Sequence, residues 1–113
     1  MEIKFDEHND WIIVRLGGKL NIHSAQEFKF GIRNYLSSKK HILLDFKDVE
    51  NIDSVGIGCL LYCQQEIHNY EGLLRISGLN EQIKIIFQVT RGYEIFEIYE
   101  DSEIAMGQRD IAA

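Results

Sequence analysis

The chain has 113 residues, 45% of them hydrophobic and 27% charged, which is enough apolar material for one core and too little for two. With 18 acidic against 12 basic side chains the formal net charge is -6, so a general electrostatic grip on nucleic-acid backbones or on anionic membrane is disfavoured. Two cysteines, Cys59 and Cys63, are too few for a secreted disulfide framework and read as reduced thiols, and the absence of a signal-peptide pattern or a membrane-length apolar run makes a cytoplasmic protein the expectation.

Residues 3–5 alternate apolar and polar, and residues 11–16 are rich in strand formers; the polar stretch between them predicts an opening hairpin. Gly17 and Gly18 are expected to break the second strand. A helix then starts at or near Asn21, with Ala25, Phe28, Ile32 and Leu36 as its inward stripe at spacings of three and four. Residues 41–46 are short and apolar enough for a buried central strand, followed by a turn. Residues 55–70 predict a helix, with Cys59, Leu60, Cys63 and Ile67 in one arc that should face the sheet. Residues 72–76 read as a strand, residues 80–87 as a short helix carrying Ile83, Ile86 and Phe87, and residues 96–99 as an edge strand. A last helical turn over residues 102–106 precedes a polar tail. The order β-β-α-β-α-β-α-β-α implies an α/β fold, helices packed on a mixed sheet of four or five strands with right-handed parallel crossovers. Proline is absent, and no linker, repeat or low-complexity block divides the chain, so residues 1–107 form one domain and residues 108–113 a short polar tail.

The most unusual local feature is the run from Val49 to Gly58, which passes from a turn into the helix that carries the cysteines. Asp53 or Ser54 is a natural N-cap there, its side-chain oxygen accepting from first-turn N–H groups. Gly56 and Gly58 each cost a helix up to ~1 kcal/mol relative to alanine, so a need for close backbone approach or an uncluttered surface should offset the loss. Ile57, Leu61, Gln64 and His68 lie roughly 100° around the helix from the cysteine stripe, which predicts a partner-facing flank; the competing reading is that Ile57 and Leu61 complete a wide buried stripe.

In these residues the chain resembles the STAS domain family, and within it the bacterial anti-sigma factor antagonists. Asp53-Ser54-Val55-Gly56-Ile57-Gly58 is similar to that family's signature at the start of its second helix, and Gly18-Lys19-Leu20-Asn21 with Ser24-Ala25 to its earlier Gly-x-Leu-Asp…Thr-Ala segment. Ile42 to Phe46, Leu73 to Gly78 and Ile95 to Tyr99 match its central, following and closing strands, so the resemblance runs through nearly the whole chain in order. Asn21 stands where the antagonists usually carry aspartate, and Ser24 where threonine is usual. Asn keeps hydrogen-bonding ability and loses the charge.

The resemblance implies a STAS-type sandwich and a phosphorylation switch. Ser54 would be modified by a serine protein kinase that is also the anti-sigma factor; Asn21, Ser24, Asp53, Gly56 and Gly58 would be its neighbours. The unmodified chain would bind that kinase and free the sigma factor, thereby regulating transcription, with a serine phosphatase resetting the site. ATP would sit on the partner, so no cofactor is expected here. A phosphate at a helix N-terminus is favoured by free N–H groups and the macrodipole, so modification should act at the surface and not on the fold. The alternative within the same fold is a non-switching scaffold or adaptor subunit of a signalling or lipid-transport complex.

Other chemistries fit poorly. Ile52 stands where a nucleophile elbow has glycine, so serine hydrolase activity is not expected. His8, His23, His41 and His68 show no zinc-ligand spacing, and Gly56-Ile57-Gly58 lacks the rest of a nucleotide fingerprint. Asp45 invites comparison with the phospho-acceptor of a receiver domain, but the opening hairpin argues against that fold and for a polar strand terminus.

Overall fold

A computed structural model describes residues 1–35 and 41–112. Its sheet is built from β1 (Glu2–His8), β2 (Trp11–Leu20), β3 (His41–Ile52), β4 (Leu74–Ser77) and β5 (Glu97–Tyr99), and the five strands lie side by side in chain order. Strand β1 is antiparallel to β2, and every later neighbour pair is parallel. Helices α1 (Ala25–Arg33), α2 (Ser54–Asn69) and α3 (Glu81–Val89) make the crossovers; because each new strand is added on the same side, right-handed connections put all three on one face. A short helix, α4 (Gly92–Ile95), follows α3, and α5 (Ser102–Ala112) packs against β3, β4 and β5.

Two apolar layers follow from this arrangement. Between the sheet and the three crossover helices lie Ile12, Val14 and Leu16 of β2, Ile42, Leu44 and Phe46 of β3, and the buried stripes of the helices. The α1 stripe is Ala25, Phe28 and Ile32, as the spacing predicts; Leu36 lies outside the described residues. The α2 stripe is Cys59, Leu60, Cys63 and Ile67 with Gly56. In α3, Ile83 and Phe87 are buried and Ile86 is half-buried against the same core. On the opposite face Trp11, Ile13, Leu43 and Ala105 form a smaller cluster. Both faces of β2 and β3 are therefore covered, which is why their residues run apolar without alternation.

Several elements depart from the expected bounds. The glycine pair does not break β2: the strand continues to Leu20, and pairing with β3 slips between Arg15 and Gly17 and again between Gly18 and Lys19. Gly18 has φ 97°, a left-handed conformation that suits glycine at an irregularity of this kind. Strand β3 likewise runs past Phe46 to Ile52, so Asp45 is no strand terminus; it sits inside β3, opposite Arg15 and Ser77, and ends only the pairing with β4. The expected last turn is the start of the longer α5, and the short α4 was not expected.

Candidate functional site

The extended β2 and β3 finish together, with Leu20 opposite Ile52, so the entrances to α1 and α2 lie side by side. The Asp53 N–H donates to the Leu20 carbonyl at 3.3 Å and ties the two entrances together. Asp53 is the N-cap of α2: its backbone is extended, and its carboxylate accepts from the Gly56 N–H at 2.9 Å. The capping role that sequence left open between two residues thus belongs to Asp53. Ser54 is the first residue of the helix. It is exposed, and its hydroxyl has no hydrogen-bond partner among the described residues.

The two glycines of the first turns serve different needs. A Cβ on Gly56 would stand 2.4 Å from the Leu20 carbonyl oxygen and 2.6 Å from Ile52 Cγ1, so only glycine lets α2 rest on the strand ends. Gly58 would meet nothing within 4 Å. It lies one turn above Ser54 and leaves that surface flat.

The neighbouring loop is held by its own bonds. Ser24 is buried; its Oγ accepts from the Asn21 N–H at 3.0 Å and donates to the Lys19 carbonyl at 2.7 Å. The Asn21 side-chain oxygen accepts from the His23 N–H at 2.9 Å, and its carbonyl accepts from Ser24 and Ala25. Lys19, Asn21, Asn51 and Asp53 share a small cleft of about 110 Å³ at the ends of the strands. Asn21, Asp53 and Ser54 are thus brought together, with Ser24 as the buried tie beneath the loop.

Of the expected partner flank, Ile57 is half-buried and packs against the core, while Leu61 is 41% exposed. Gln64 is half-buried and donates from Nε2 to the Ile95 carbonyl; His68 is exposed. The flank therefore splits, with Ile57 belonging to the packed side and Leu61 to the open one. Sequence reasoning missed Ile22 and Val55, which are 64% and 39% exposed beside the two helix entrances. An isoleucine between Asn21 and His23 in a polar turn was the available signal.

Cysteine chemistry has no place at this site. Both thiols are buried; desolvation pushes Cys63 up to about 12 and raises Cys59 as well. On the flank between α1 and α2, Arg33 donates to the Tyr62 hydroxyl at 3.3 Å and Lys29 lies 4.9 Å from the centre of the Tyr62 ring. The hydrogen bond to Tyr62 raises the Arg33 pKa. No helix among the described residues is long and apolar enough to cross a membrane.

The family model for the STAS domain matches residues 2–105. An anti-sigma F factor antagonist of Paenibacillus polymyxa is 22% identical over 115 residues, covering 100% of this chain and 98% of its own. An anti-sigma-B factor antagonist of Bacillus subtilis is 23% identical over 103 residues, covering 91% of this chain and 93% of its own. Among solved structures, a Thermotoga maritima protein superposes with a TM-score of 0.87 at 27% identity, covering 94% of this chain and 92% of its own. The unphosphorylated form of the anti-sigma factor antagonist SpoIIAA shares the fold at a TM-score of 0.73 and 16% identity, covering 99% of this chain and 100% of its own.

Proposed function

The chain belongs to the STAS domain family, and on that footing we propose that it is an anti-sigma factor antagonist switched by phosphorylation at Ser54. Unmodified, it binds in the cytoplasm to an anti-sigma factor that is also a serine protein kinase, and the sigma factor is freed. Phosphorylation ends the complex, and a serine phosphatase restores it. The observation that carries this reading is the exposed hydroxyl at the first residue of α2, without a partner among the described residues and beside a cap that another side chain supplies.

The division of labour between Asp53 and Ser54 matters physically. Because Asp53 accepts from Gly56, Ser54 is not needed to start the helix, and its oxygen is open to esterification. The added group brings roughly -1.5 to -2 charge units to a helix N-terminus, where free N–H groups and the macrodipole favour it. The fold tolerates that charge; a flat protein contact does not, because the phosphate must be desolvated and repels acidic groups across the interface. The contact surface in this reading runs from Ile22 and Val55 past Gly58 to Leu61, with Ile57 and Gln64 along its inner edge.

Incubation with the switch kinases of the same genome, followed by mass spectrometry, tests the proposal. Modification at Ser54 and loss of the bound kinase are expected. Binding without modification by any of these kinases would favour the non-switching scaffold, a reading to which the neutral Asn21 lends some support.

A further inference from the structure

On the face of the sheet away from α1, α2 and α3, α5 is held differently from those three. They press apolar stripes into the larger core, whereas α5 supplies Ala105 as its buried side chain between Ser102 and Gly107. Met106 is half-buried there and Ile104 is exposed. At the centre of the contact stands a cation. Arg75, inside β4 and 5% exposed, donates from Nη1 to the Ala105 carbonyl at 2.6 Å and from Nε to Glu97 at 3.2 Å. Its guanidinium lies 5.4 Å from the centre of the Trp11 ring and 5.3 Å from that of Tyr99.

A buried cation is a poor way to fasten a helix, because its desolvation offsets much of what its bonds contribute, and apolar replacements commonly hold as well or better. It has one property that an aliphatic side chain lacks. When the helix departs, the guanidinium is hydrated at little cost while still stacked on Trp11 and Tyr99 and paired with Glu97. Leucine at this position would favour only the closed state; arginine is compatible with both. We propose that α5 is a releasable strap, latched by Arg75 through the Ala105 carbonyl, and that its release uncovers an apolar face made by Trp11, Leu43 and Tyr99.

The surroundings suit such a motion. Glu100 and Asp101 alone separate β5 from α5, and the Asp101 carboxylate accepts from the Ile104 N–H at 2.8 Å, so the helix is capped by its own hinge. The Ser77 and Ser102 hydroxyls lie 3.0 Å apart and pin the pivot. Clefts of about 470 and 800 Å³ adjoin the strap, and Glu103 and Met106 line both, so the helix is undercut along this flank.

Hydrogen exchange read at Ala105, with acrylamide quenching of Trp11, the single tryptophan, tests the strap in the full chain. The Ala105 amide should exchange through an opening that leaves β3 and α2 protected, and Trp11 should become quenchable with it. Arg75→Lys, which keeps the charge and loses the fork, should speed that exchange about tenfold, and Arg75→Leu should slow it about tenfold. Exchange of Ala105 only by global unfolding, or faster exchange in Arg75→Leu, would overturn the proposal.

Discussion

Replacing Gly56 by alanine tests the claim that the candidate site rests on a close approach of backbone to backbone. The new methyl would lie 2.4 Å from the Leu20 carbonyl oxygen and 2.6 Å from Ile52 Cγ1, and neither strand end can yield without moving the sheet. Overpacking of this kind costs ~1 to 3 kcal/mol, while exchanging glycine for alanine in a helix returns up to ~1 kcal/mol. A contact this short against backbone belongs in the upper half of that range, about 2 to 3 kcal/mol, so the net is a loss of about 1 to 2 kcal/mol or a melting temperature lower by roughly 4 to 8 °C for a domain of this size. Gly58→Ala is the matched control. With nothing within 4 Å of its new methyl, it should gain about 0.4 to 1 kcal/mol and melt a few degrees higher. Thermal unfolding followed by circular dichroism, with urea titration as a check, reads both. A neutral or stabilised Gly56→Ala would refute the packing argument. In the proposed function the pair also separates stability from binding: Gly58→Ala should weaken the kinase complex despite its firmer fold, because its methyl stands on the contact surface.

Further expectations follow from the same geometry. Asp53→Ala removes the cap and should cost about 1 kcal/mol, whereas Asp53→Asn keeps an accepting oxygen and should leave the unfolding free energy nearly unchanged in urea titration. Ser54→Asp should keep the wild-type melting temperature, since an acid is favoured at the start of a helix, and should lose the partner in a pull-down. Desolvation raises the Cys63 pKa to about 12, above the ordinary thiol value of 9.0, so the folded state disfavours the thiolate. The stability this contributes is fully present below pH 9.0 and is lost as pH rises toward 12, by up to about 1.4 kcal/mol per pH unit; Cys63→Val should flatten that alkaline limb in pH-dependent urea melts. A thiol reagent at pH 8 should accordingly leave Cys59 and Cys63 unmodified until denaturant is added, when absorbance should report both.

What could be read from the residues and what could not divides along a physical line. Stripes such as Phe28 and Ile32, or Cys59, Cys63 and Ile67, are set by helical spacing against a single apolar layer, and they came through directly. The far halves of β2 and β3 did not. Lys19, Asp48 and Asn51 carry no strand signature, and they are extended because main chain pairs with main chain across irregular register, which depends on the neighbour and not on the side chain. At the candidate site, the aspartate, the serine and the glycine pair were visible as a motif. The role of Ser24 as a buried tie, the tether from Gln64 to Ile95 and the exposure of Ile22 depend on how separate segments meet.

The strands stand in space in the order in which they occur along the chain, and that bears on how the molecule comes into being. As synthesis proceeds, every new strand finds its neighbour already made, with no vacancy held open for a later arrival. The hairpin can serve as a template, and each strand-helix unit can be added as soon as it emerges from the ribosome. The apolar face under α5 then waits for shelter, since α5 follows all five strands along the chain.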